Sequence, residues 1–183
     1  MPLLALADTT ITGHLGSAAC IGAIALGGMV FNMAYWLFGF LRMGTSGLTA
    51  QAHGTGNRTQ ALHVLYRSLI VAWGVALLLI AAQRPIFDAA FNFVTATHEV
   101  EQLTATYYRI LIWGAPAVLG LYSFAGWFLG MQNAKAPMVI AIGQNIINIV
   151  ASTVLGFGFA QGMAGVATGT LVAQYAGLCA AIN

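Results

Sequence analysis

Three polar side chains at a four-residue spacing, Gln144, Asn148 and Ser152, interrupt an apolar stretch in the last quarter of the chain. On a helix that spacing lines them up as one stripe. The plain reading is interhelical glue, since amides and hydroxyls hydrogen-bond between membrane helices for about 0.6–2 kcal/mol. Thr170 and Gln174 repeat the i, i+4 pattern more weakly. Near the other end, Asp8 lies in the apolar run from Leu3 to Thr12, with Thr12 one turn later on its face. An acid so placed faces a wet cavity, pairs with a cation or takes up a proton. The blander alternative is an interfacial acid at a helix end.

Enzymatic signatures are missing. His98-Glu99-Val100-Glu101-Gln102 begins like a zinc-protease helix but has Gln where the second His must stand. Gly54-Thr55-Gly56 lacks the third glycine and the preceding strand of a dinucleotide loop. No Walker lysine, Cys-x-x-Cys pair or Gly-x-Ser-x-Gly elbow is present, and no enzyme is expected. Cys20 and Cys179 lie far apart in sequence, each within or at the edge of an apolar segment where a Cys is a small hydrophobe. The triplet Asn57-Arg58-Thr59 falls in a basic connection and is read as an accidental glycosylation match.

The elements that position these groups follow from composition. Of 183 residues, 60% are hydrophobic and 5% charged, and mean hydropathy is +0.85. A soluble domain carries roughly 25% charged residues. A net charge of +2 also neutralises few phosphates, so nucleic acid is not an expected partner. The chain reads as an all-α, multi-pass membrane protein whose partner is the lipid bilayer. A crossing needs about 20 apolar residues, and the chain holds about six such spans.

The spans fall at approximately 1–12, 20–41, 62–82, 103–129, 138–159 and 162–182. The first would be about 18 Å long, a little over half a bilayer, and is expected to be truncated. Residues 84–102 are too polar to cross, yet Phe87, Ala90, Phe91 and Val94 recur at helical spacing, which predicts a short interfacial helix. Thr97 is the expected N-cap of the next helix, with Glu99 and Glu101 in its first turn. Pro116 is expected to kink the fourth span, and Pro137 to open the fifth. Gly126-x-x-x-Gly130 and Gly165-x-x-x-Gly169 are close-packing spacings.

Arg42, Arg58, Arg67 and Lys135 cluster at the second and fourth connections, against Arg84 and Arg109 at the third. The positive-inside rule therefore puts the second and fourth connections in the cytoplasm. Arg42 is expected at the cytoplasmic surface, about 33 Å along the helix from Cys20. Arg67 and His63 are read as interfacial.

Several phrases resemble one transporter family. Leu6-Ala7-Asp8-Thr9 followed by Gly13-His14-Leu15-Gly16-Ser17 resembles the end of the first helix of multidrug and toxic compound extrusion (MATE) transporters. Phe40-Leu41-Arg42-Met43-Gly44-Thr45, continuing through Gly47-Leu48-Thr49-Ala50-Gln51-Ala52, is similar to the second-helix motif of their DinF-like bacterial branch. Tyr107-Tyr108-Arg109-Ile110 with Gly114-Ala115-Pro116, and Gly165-Val166-Ala167 with Gly169-Thr170, fit the same branch. The resemblance covers essentially the whole chain, in order.

It implies a cation-coupled antiporter with twelve helices in two six-helix lobes. This chain, residues 1–183, would supply the N-terminal lobe, with a C-terminal lobe of the same parent chain as its partner. Small, amphipathic organic compounds would be exported across the bacterial inner membrane. Carried over by position, the coupling site falls on Asp8, Asn148, Ser152 and Thr170, binding H⁺ or Na⁺ with no organic cofactor. The family often has Asp where this sequence has Ser152, which leaves one carboxylate in the pocket. Gln144, Asn32 and Tyr35 are read as cavity-lining. Two rivals stand beside this reading: a lipid-linked oligosaccharide flippase, a distant relative with similar helix numbers, and a non-transporting six-helix membrane scaffold.

Overall fold

The computed structural model describes residues 18–93, 97–158 and 162–182. Asp8, the whole 1–12 span and Phe159 lie outside the described residues. The rest is helical: α1 (Ala18–Leu37), α2 (Phe40–Gly54), α3 (Arg58–Ala81), α4 (Gln83–Phe93), α5 (His98–Leu111), α6 (Ala115–Gly130), α7 (Lys135–Thr153) and α8 (Gly162–Ile182). Five runs are long and apolar enough to cross a membrane: Ala19–Gly54, Arg58–Ala81, His98–Gly130, Lys135–Gly156 and Gly162–Ile182.

The first of these corrects the sequence reading. The helical run does not stop at Arg42 but continues to Gly54, 36 residues in all. At Phe38 and Gly39 it only tightens. Phe38 N–H donates to the Tyr35 carbonyl at 3.1 Å and Gly39 N–H to the Trp36 carbonyl at 3.0 Å, so a tighter helical turn joins α1 to α2. Arg42 therefore lies in the first turn of α2, about 18 Å along the helix from Gly54, rather than at a surface connection.

The third run, His98–Gly130, is also segmented. Between α5 and α6 the backbone forms a 3₁₀ turn at Ile112–Gly114, just before Pro116. Proline has no N–H to offer the carbonyl four residues back, that of Ile112, and the tighter turn takes up the gap. Thr97 precedes α5 with an extended backbone, and Glu99 and Glu101 fall in the first turn, where the helix dipole favours acids. The Thr97 hydroxyl itself makes no capping bond. Past Thr153, α7 continues as a π-helical turn at Val154–Gly158.

Helix α6 is the centre of the bundle, packed on α2, α3, α7 and α8. Val118 and Leu119 are fully buried in it. Gly126 and Gly130 let its backbone meet α2: a Cβ on Gly126 would lie 2.5 Å from the Arg42 carbonyl oxygen, and one on Gly130 would lie 2.5 Å from Thr49 Cβ. A hydroxyl chain ties three helices at this seam. Thr45 Oγ1 on α2 lies 2.7 Å from Ser68 Oγ on α3, Ser68 donates to Ser123 Oγ on α6 at 2.6 Å, and Ser123 donates to the Leu119 carbonyl at 3.4 Å. Trp127 Nε1 adds a bond to the Ala61 carbonyl at 3.0 Å.

Candidate functional site

The stripe on α7 faces the stripe on α8, and the two helices run antiparallel. Asn148 Nδ2 donates to Thr170 Oγ1 at 3.0 Å and approaches Ser152 Oγ at 3.4 Å. The Ser152 and Thr170 hydroxyls both donate to the Val166 carbonyl, at 3.3 and 3.1 Å. Asn148 and Ser152 are fully buried and Thr170 is 4% exposed. Three of the four sequence-predicted coupling residues are thus brought together. The fourth, Asp8, lies outside the described residues.

Glycine sets how closely this pair packs. A Cβ on Gly169 would sit 2.5 Å from Ser152 N and 2.6 Å from its Cα and Oγ, so only a bare backbone fits there. One turn earlier, a Cβ on Gly165 would collide with the Leu155 carbonyl oxygen. The helices therefore meet backbone to backbone, which brings the Ser152 hydroxyl within reach of the Val166 carbonyl. At the other end of the seam the Gln144 side chain packs over Gly177, and Gln174 packs over Gly114. Both glutamines are buried, with Gln144 Nε2 and Gln174 Oε1 left without a hydrogen-bond partner.

The donor set is chemically suited to a hard cation. The hydroxyls of Ser152 and Thr170 and the amide of Asn148 supply neutral oxygens, the ligand type that hard cations prefer. The Asn148 amide presents a donor to its neighbours here, and rotation about its last bond exchanges nitrogen for oxygen. No charge comes from these three, so an acid is required for either H⁺ or Na⁺ to be held with charge balance.

The predicted cavity-lining residues border three hollows that share one side chain. Gln144 lines a hollow of about 210 Å³, Tyr35 one of about 540 Å³ and Asn32 one of about 810 Å³, and Tyr122 borders all three. Arg42 lines the first two. Trp36 and Met33 beside them are 82% and 78% exposed. Sequence reasoning missed Tyr122 and Arg42. An aromatic in an apolar run carries no local signal, and by sequence Arg42 reads as the polar end of a span.

Fold and site together define a polytopic helical membrane protein with a buried polar cluster between α7 and α8. The chain belongs to the MatE family, whose sequence profile matches residues 1–154. It is 36% identical over 178 residues to DNA damage-inducible protein F of Escherichia coli (strain K12), covering 97% of this chain and 39% of that protein. It is 26% identical over 180 residues to the probable multidrug resistance protein NorM of Thermotoga maritima, covering 96% of this chain and 38% of that one. A solved structure of a multidrug resistance MATE family transporter of the MOP superfamily, in an inward-facing conformation, superposes with a TM-score of 0.91. That match has 24% identity and covers 98% of this chain and 41% of the other, so what it shares is the fold. The chain thus spans about two fifths of the length of the relatives it matches.

Proposed function

We propose that residues 1–183 form the ion-coupled lobe of an antiporter. It exports small, amphipathic organic compounds across the bacterial inner membrane, driven by H⁺ or Na⁺. The six spans of the lobe would be the five apolar helical runs plus the 1–12 segment. The observation that carries this reading is the sealed Asn148–Ser152–Thr170 cluster in a chain of this family. Asp8 is the acid we assign to it. A lone carboxylate among helices is costly when charged and tolerable when a proton or Na⁺ neutralises it. Neutralisation shifts the balance between inward- and outward-facing arrangements when the two bury the carboxylate to different extents, and that difference is what coupling requires. The hollows around Tyr122 would take the exported compound, with Trp36 and Met33 supplying apolar surface and Arg42, Tyr35 and Asn32 polar contacts.

The test is Asp8→Asn in the full transporter, reconstituted in proteoliposomes. Gradient-driven efflux is expected to collapse while insertion and folding stay near normal. Undiminished gradient-driven efflux by this variant would refute the assignment of Asp8.

A further inference from the structure

Helices α2 and α3 enclose a groove of about 520 Å³ that the transport reading leaves without a role. Its two walls run antiparallel, so its lining is graded. Gln51, Gln60 and His63 stand at the end next to the α2–α3 connection, and Phe40 and Val71 stand at the deep end. Arg67 lies between them on the groove. It comes nine residues after Arg58, roughly 14 Å into a helix of about 36 Å that is long and apolar enough to cross a membrane, which is deeper than the interfacial position read from the sequence.

Arg67 has no acidic partner among the described residues. Their one ion pair is His98–Glu101, and their acids, Asp88, Glu99 and Glu101, all follow the far end of α3. The groove beside Arg67 is bordered by exposed apolar side chains, Phe40 at 57% and Leu48 at 55%, which suits contact with acyl chains. An unpaired cation at this depth is costly and calls for an anion. Side chains snorkel toward the nearer interface, which here carries the guanidinium toward His63 and Gln60, on the same face of α3.

We propose that this groove binds an anionic phospholipid of the adjoining leaflet. Arg67 and His63 hold the headgroup phosphate, and an acyl chain lies along Leu48 and Val64 toward Phe40. The phosphate supplies the missing counter-charge with two or more oxygens for the guanidinium fork. The polar-to-apolar grading runs in the sense a lipid needs and a soluble anion does not.

The test is native mass spectrometry of the full protein taken from mixed micelles of equal phosphatidylglycerol and phosphatidylcholine. The wild type should retain phosphatidylglycerol in preference. Arg67→Gln should lower that retention about fivefold, the worth of one basic residue toward an anionic lipid. Arg58→Gln, at the start of the same helix, should leave it nearly unchanged. Gly44→Phe provides a second, independent variant. Gly44 lines the groove and a Cβ there meets nothing within 4 Å, so a bulky side chain has room to leave the backbone into the acyl path, and retention should fall with Arg67 intact. Equal retention of both lipids by the wild type, or unchanged retention by Arg67→Gln, would overturn the proposal. So would an equal loss in Arg58→Gln, which would mean diffuse surface attraction, or displacement of the lipid by inorganic phosphate.

Discussion

Gly169→Ala adds a single methyl group, and the structure fixes what it must displace. The new carbon would lie 2.5 Å from Ser152 N and 2.6 Å from Ser152 Cα. Carbon atoms pack at about 3.5–4.0 Å, so α7 and α8 must part by roughly 1 Å at this level. The Ser152 to Val166 bond at 3.3 Å and the Asn148 to Thr170 bond at 3.0 Å would both stretch past hydrogen-bonding range. Overpacking costs about 1–3 kcal/mol, and two interhelical bonds add about 1 kcal/mol. Against this, Ala gains about 1 kcal/mol over Gly in helix propensity. The net expectation is a loss of about 1–3 kcal/mol, read by SDS titration of the purified protein. Gly143→Ala, where a Cβ meets nothing within 4 Å, is the control and should be neutral or slightly stabilising. If Gly169→Ala matches its control, the backbone contact is not as tight as argued and the glycine is not what holds the cluster in register.

Ser152→Ala should reduce gradient-driven efflux less than Asp8→Asn does, since it removes one neutral oxygen; a loss confined to Na⁺-driven assays would assign that oxygen to Na⁺, and a total loss under a proton gradient would contradict the assigned roles. A single Cys at position 57, in a variant lacking Cys20 and Cys179, should be protected from a membrane-impermeant maleimide added to intact cells, and one at position 88 should be labelled. The reverse pattern would invert the topology.

The α7 and α8 stripes are legible in the sequence because helical periodicity alone decides that Gln144, Asn148 and Ser152 share a side. That Thr170 would meet Asn148 is a different matter. It depends on Gly165 and Gly169 setting the distance between two helices, and spacing rules suggest such contact without naming the partner. Composition conceals helix α2 for the opposite reason, and only the family resemblance marks residues 40–52 as part of a helix. Arg42, Thr45, Ser46 and Thr49 look like a polar connection when read locally. Their surroundings come from elsewhere in the chain: Ser68 bonds Thr45, and Gly130 packs on Thr49. The π-helical turn after Thr153 left no trace at all, since Val154–Gly158 is composed like any apolar helix end.

The hydroxyl chain across α2, α3 and α6 has a direction, and direction makes its members unequal under mutation. Ser123 gives its proton to the Leu119 carbonyl and Ser68 gives its own to Ser123, so the proton shared between Thr45 and Ser68 must be that of Thr45. Losing Thr45 to Val leaves Ser68 with only an unfilled lone pair, which buried oxygens tolerate. Losing Ser123 to Ala removes an acceptor: Ser68 must turn to Thr45 Oγ1, which passes the unaccepted proton to Thr45, the costlier kind of orphan. Sequence drift in this seam should therefore enter from the Thr45 end, with hydrocarbon replacing hydroxyl on α2 before it does so on α6.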